Sequence, residues 1–291
     1  MRNFKYFSPT TLGEAIRLMA DQGISTKILA GGTDILVQLR SDRFQVDRLI
    51  DVKNIPEMNE LSYSTTDGLL LGAAVPCYKI YEHNDVREMY SGVVDAAFII
   101  GGIQIQGRAT IGGNLCNASP SADAIPSLVV LSAICLIEGP NGRRELAVEE
   151  FCTGPGKNAL APGEILVALR FPPTVASSGA HYLRFIPRNE MDIAVAGVGA
   201  WVSLDEKTHR VKQARIALSA VGPTPIFAKE ASEILSGLDP NEESFELAAQ
   251  AAQKAASPID DMRGTVRQRV HLVGVLTKRA LRKAVNRAKE S

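Results

Sequence analysis

Two glycine pairs constrain this chain more than any other feature. Gly31-Gly32 follows the apolar run Ile28-Leu29-Ala30 and leads at once into Thr33-Asp34 and a helical pattern ending at Leu39. Gly112-Gly113 lies within Thr110-Ile111-Gly112-Gly113-Asn114, followed by Ala118-Ser119-Pro120-Ser121-Ala122-Asp123. Glycine has no Cβ, so the backbone takes positive φ freely and a ligand can approach it closely. A helix beginning just after such a loop offers unsatisfied N–H groups and the positive end of its dipole. Thr33 adds a hydroxyl donor, and the second loop is flanked by a hydroxyl and an amide. Two such loops facing each other suit a pyrophosphate, with Asp123 available to accept from a ribose. Neither matches the Walker A pattern or the G-x-G-x-x-G dinucleotide fingerprint. Tight turns also use glycine pairs, so for either loop alone the turn reading stands beside the ligand reading.

Composition narrows the classes. The 291 residues suggest about two domains. The chain has 32 Lys+Arg against 32 Asp+Glu, with 45% hydrophobic and 22% charged residues. That is an ordinary globular balance, without the basic excess a nucleic-acid or anionic-membrane binder needs. Apolar runs such as 127–137 fall short of the ~20 residues of a spanning helix. The opening Met1-Arg2-Asn3-Phe4-Lys5-Tyr6 has no apolar core of an export signal, so a cytoplasmic location is expected. Cys77, Cys116, Cys135 and Cys152 are scattered, as are His83, His181, His209 and His271. Their spacing predicts no metal site and no disulfide in this chain.

Local patterns predict the elements. Ser8 as N-cap and Pro9 at N1 start a helix with Leu12, Ile16 and Met19 on one face. A short strand is expected at 27–30, and Pro56 marks a break. Thr66-Asp67-Gly68 predicts a hairpin between 61–64 and 69–73. Helices are expected around 78–83 and 86–99. Pro172-Pro173 with Ser177-Ser178-Gly179 reads as a linker. Beyond it, 194–204 and 211–220 read as an antiparallel pair with Trp201 in the core. Helices then follow at 227–235, 243–256 and 272–289. Strands followed by helices suggest an α+β domain. The domain ranges expected are 1–56, 57–175 and 176–291.

Two charged segments have double readings. Arg184, Arg188 and Asp192-Ile193-Ala194 form a surface strand with solvated charges in the plainer reading. In the other, a guanidinium lies near an electron-rich ring. Residues 263–289 hold nine Lys/Arg and no acid. A solvated helix is the simpler reading, and a docking face is the other.

Taken together, Ala30-Gly31-Gly32-Thr33-Asp34, Thr110-Ile111-Gly112-Gly113-Asn114, the A-S-P-x-x-D run ending at Asp123, and the Arg184/Arg188/Asp192-Ile193-Ala194 segment resemble the FAD-binding (medium) subunit of the molybdenum hydroxylases, the carbon monoxide and xanthine dehydrogenase type. Order, spacing and length agree over essentially the whole chain. The resemblance implies two N-terminal α/β subdomains of the PCMH/VAO type holding an extended FAD. It implies a C-terminal domain with a three-stranded antiparallel sheet and a helical bundle. Carried over, Ala30, Gly31, Gly32, Thr33, Asp34, Thr110, Gly112, Gly113 and Asn114 would hold the pyrophosphate, mainly through main-chain N–H groups. Asp123 would meet the adenosine part, and Asp123→Ala would then weaken FAD by about 1–2 kcal/mol. Ile100 and Leu166 would supply apolar contacts, and Arg184 stands near the isoalloxazine where many relatives have Lys. No side chain need act as acid, base or nucleophile. The implied role is an electron relay. It would run from the [2Fe–2S] clusters of a small partner, fed by a large molybdopterin partner, to an external acceptor, within a dimer of heterotrimers. No cysteine-rich insertion marks the hydroxybenzoyl-CoA branch. A stand-alone FAD oxidase and a flavin-free scaffold are the alternatives. The first lacks a His or Cys placed for covalent flavin attachment, and the second has no need of bare backbone at the glycine pairs.

Overall fold

The computed structural model describes residues 3–21 and 23–291. Met1 and Arg2, which begin the segment read for an export signal, lie outside the described residues. Three main sheets follow one another along the described residues, with a small two-stranded one of Cys152–Gly154 and Lys157–Asn158 falling within the span of the second. The first is parallel, with Arg48–Asp51 between Lys5–Phe7 and Thr26–Leu29. Its crossovers carry the helices Leu12–Ala20 and Ile35–Arg40. The first helix is capped by Thr11, whose hydroxyl accepts from the Glu14 N–H at 3.3 Å. Ser8, the expected cap, instead accepts from Asn54 Nδ2 at 2.9 Å and so ties this turn to the end of the central strand.

The second sheet is antiparallel, in the order Leu61–Ser64, Gly68–Gly72, Ile165–Phe171, Ile134–Gly139, Gly142–Ala147. Between Gly72 and Ile134 the chain leaves the sheet for six short helices, which carry the second glycine loop. The single helix expected over 86–99 is divided into Asn84–Met89 and Ser91–Ile99. Tyr90 divides them. Its ring is fully buried edge-on against Tyr63 and Phe171, and its hydroxyl donates to the Pro172 carbonyl at 2.8 Å. Burying that aromatic outweighs continuing the helix.

The third sheet runs Ser178–Phe185, Ala196–Leu204, Val211–Ser219, Ile226–Phe227, all antiparallel. It therefore has a fourth, two-residue strand beyond the three expected. Ser178-Gly179, read as linker, opens the first strand. The long helix Val266–Glu290 passes so close there that a Cβ on Gly179 would come within 2.6 Å of the Ala288 nitrogen. This helix and Glu242–Ala255 bury an alanine-rich face on the sheet, and Trp201 packs half-buried on the opposite side against the core of the first two sheets. The fold is α+β, with the helix Ile125–Val130 wedged against the third sheet: Gly199 lies beside Pro126, and Arg215 donates to the Val129 carbonyl at 2.8 Å.

A second tie crosses the same boundary. Asp95, on Ser91–Ile99, takes both guanidinium nitrogens of Arg287 at 2.6 and 2.9 Å and lies 2.5 Å from His181 Nδ1. Desolvation pushes the Asp95 carboxyl up, but the hydrogen bonds from His181 and Arg287 more than offset this and hold it below the usual carboxylate range. A carboxyl lowered in the folded state stabilises the fold above its unfolded pKa, and that contribution is lost as the pH falls through the folded value. Asp95→Asn is expected to cost about 2 kcal/mol at pH 7, and the difference from wild type should shrink below about pH 4. Urea denaturation at both pH values checks this. An unchanged midpoint at pH 7 would remove Asp95 from the interface.

The solvated reading holds for Arg267, Arg279, Lys283 and Lys289, which are exposed, but four of the nine C-terminal cations are engaged. Arg269 is buried, donating to the Val195 and Ala220 carbonyls at 2.7 and 2.9 Å, and Lys278, Arg282 and Arg287 each pair with an acid. Among the described residues, no helix is long and apolar enough to cross a membrane.

Candidate functional site

The first glycine loop leaves the carboxyl end of Thr26–Leu29 and enters Ile35–Arg40. Gly32 has φ +82°, a left-handed conformation that side chains disfavour. Gly31 serves a different need. A Cβ there would overlap the Arg108 carbonyl and lie 3.0 Å from the Ala109 Cα. Arg108 and Ala109 directly precede Thr110, so bare backbone at Gly31 brings the two loops together. Gln38 Nε2, one turn into the first helix, lies 3.5 Å from Asn117 Oδ1 at the end of the second. Among the described residues, none accepts a hydrogen bond from the N–H groups of Gly31, Gly32, Thr33 or Asp34. Asp34 is at the N-cap position but makes no capping bond. Its side chain is exposed, yet enough chain surrounds the carboxyl for desolvation to raise its pKa.

The second loop opens the helix Ile111–Asn117. Thr110 caps it, its hydroxyl accepting from the Gly113 N–H at 2.9 Å. That leaves the hydroxyl proton available to another acceptor. Gly112 is buried against Ala73, whose N–H donates to the Val167 carbonyl at 2.9 Å. Leu166 is thus one residue from that contact. It faces Ile137 across the sheet at a bulge and is 2% exposed, packed in the core. Ile100 is likewise buried, its carbonyl accepting from Gln106 Nε2 at 3.4 Å, and lies beside the Gly101-Gly102 turn. Asn114 Oδ1 accepts from the Ala124 N–H at 3.2 Å, fastening the second loop to the residue after Asp123.

Asp123 and Arg184, placed by the resemblance at the two ends of an extended dinucleotide, are partners here. Arg184 Nη1 lies 2.5 Å from Asp123 Oδ2, and the Tyr182 hydroxyl donates to Oδ1 at 3.2 Å. Both side chains are buried, so the solvated-strand reading fails for Arg184. It holds for Arg188, which is exposed and pairs with Asp192 at 3.1 Å. Burial pushes the Asp123 carboxyl up to about 6, against the pull of Arg184 and Tyr182. The guanidinium and the carboxylate thus stand side by side in this structure. The pair acts at one place.

Comparison with known proteins accounts for nearly the whole chain. The family described as "FAD binding domain in molybdopterin dehydrogenase" matches residues 2–174, and "CO dehydrogenase flavoprotein C-terminal domain" matches 181–284. The chain belongs to the FAD-binding subunit family of the molybdenum hydroxylases. It is 31% identical to the xanthine dehydrogenase FAD-binding subunit of Escherichia coli O157:H7, covering 96% of this chain and 95% of that one. It is 30% identical to the carbon monoxide dehydrogenase medium chain of Hydrogenophaga pseudoflava, over 97% and 96%. A solved structure of carbon monoxide dehydrogenase from that organism superposes with a TM-score of 0.93 at 30% identity, covering 98% of each chain. As a member of this family, the chain is an oxidoreductase subunit with FAD as its cofactor.

The residues of this FAD-binding subunit fit a dinucleotide. Unclaimed N–H groups over Gly31–Asp34 meet a second capped loop across a junction too tight for a Cβ. The alternation of Ser178–Phe185 places Tyr182 and Arg184 on one face, a signal sufficient to add Tyr182 to the candidate residues, from which sequence reasoning omitted it. Cys116 lies two residues beyond Asn114. Burial pushes its thiol up to about 12, so it is a packed thiol rather than a nucleophile.

Proposed function

We propose that this chain is the electron-transfer flavoprotein subunit of a cytoplasmic molybdenum hydroxylase. The observation carrying it is the junction of the two glycine loops, formed by Gly31 against Arg108-Ala109 within a chain of this family. Bound FAD would supply two-electron redox chemistry, linking [2Fe–2S] clusters on a small partner to an external acceptor. The main-chain N–H groups of Gly31 to Asp34, with the hydroxyls of Thr33 and Thr110 and the second loop at Gly112, Gly113 and Asn114, would hold the diphosphate. Ala30 ends the strand that delivers the first loop, while Ile100 and Leu166 would exclude water on the apolar side. The Asp123–Arg184–Tyr182 cluster would brace the second loop through Ala124 and Asn114. Hydroxylation would belong to a large molybdopterin partner, in a dimer of heterotrimers. Substrate recognition then lies outside this chain.

Anaerobic addition of substrate to the assembled complex tests the relay. The iron–sulfur and flavin bands should both bleach, and an external acceptor should restore both. Flavin bands that stay oxidised while the iron–sulfur bands bleach would contradict it.

A further inference from the structure

Arg108 is fixed by its backbone and free at its side chain. Its N–H donates to the Ile105 carbonyl at 2.8 Å, its own carbonyl abuts Gly31, and the next carbonyl, of Ala109, accepts from the Cys77 N–H at 2.8 Å. The side chain is exposed. Among the described residues, it has no hydrogen bond, ion pair or ring contact. Of the acids at the carboxyl ends of these strands, Asp34 makes no capping bond and Asp51 is engaged elsewhere. Asp51, ending the central parallel strand, accepts from the Tyr6 hydroxyl at 2.5 Å and from Lys53 Nζ at 2.6 Å on each oxygen. The Tyr6 phenol, raised by its bond to Asp51, also feels an opposing pull from Arg108. The Arg108 carbonyl abuts Gly31, so this residue stands where the carboxyl ends of the parallel strands and the first glycine loop meet. Such an edge is where open parallel sheets bind their ligands.

We propose that Arg108 is a binding residue for the FAD diphosphate, giving the junction of the two glycine loops a cation with no ion pair among the described residues. The inference rests on the FAD reading above. Backbone N–H groups orient a diphosphate but carry no net charge, whereas the ligand is a dianion. A guanidinium supplies charge and a two-pronged donor that matches phosphate oxygens. Because the Arg108 backbone forms the wall against which Gly31 packs, its side chain starts from between the loops.

The test uses the full chain freed of flavin, titrated with FAD and with ADP at low and high salt. Arg108→Gln should weaken both ligands about tenfold and flatten the salt dependence, since a screened charge pair is lost. Arg108→Lys should recover part of both effects. Arg108→Gln binding FAD as wild type does would overturn the assignment of Arg108 alone. So would weaker binding with an unchanged salt dependence. A folded wild-type chain that takes neither FAD nor ADP would overturn the FAD reading as well.

Discussion

Gly32→Val should give a folded chain that purifies with less than about one-tenth of the wild-type FAD. At φ +82° a β-branched residue is strained by about 1–2 kcal/mol, and its Cβ would come within 2.9 Å of Leu29 Cδ1. The relief available is to turn the loop, which carries the N–H groups of Thr33 and Asp34 away from their positions. The stability cost is a small part of a domain's total, so the cofactor should be lost before the fold. Flavin content, unfolding midpoint and yield are measured together. Normal flavin at wild-type yield would remove this loop from the site.

Asp123→Ala should unfold far more readily than wild type, by about 3–5 kcal/mol. Reading Asp123 as a ribose acceptor led to a smaller effect, confined to FAD affinity. The structure adds a stability effect to that expectation, because removing the carboxylate leaves the buried Arg184 without a counter-charge and the Tyr182 hydroxyl without its acceptor. Arg184→Met in the same background should restore much of the loss, since deleting both ends of a buried pair is far cheaper than deleting one. Denaturant unfolding of the two single variants and the double variant closes the cycle. Strict additivity would show that the pair is not coupled.

What was legible in the sequence was mostly local. Thr66-Asp67-Gly68 marked the hairpin that forms between Leu61–Ser64 and Gly68–Gly72, and 194–204 with 211–220 marked the pair Ala196–Leu204 and Val211–Ser219. Nothing local announces that Ile165–Phe171 enters the second sheet between Gly68–Gly72 and Ile134–Gly139, because that register is set by packing across distant segments. The division at Tyr90 and the diversion of Ser8 from capping are not legible for the same reason: Tyr90 bonds Pro172 and Ser8 bonds Asn54, both remote in sequence, whereas the cap at Thr11 is a local bond to Glu14.

The site follows the same rule. Residue types suited to a phosphate could be read at both loops. That Gly31 exists to admit Arg108-Ala109, and that Asp123 answers to Arg184, are facts of tertiary contact. The resemblance supplied the arrangement of subdomains, which periodicity alone did not.

The central claim is that the two glycine loops together hold FAD. Acid release and identification of the flavin from the purified chain, after its absorbance spectrum is recorded, tests it most directly. The account predicts bands near 370 and 450 nm and FAD at about one per chain, or its uptake by a colourless chain on addition. A well-folded chain that refuses added FAD would contradict the account and make a scaffold role the leading explanation.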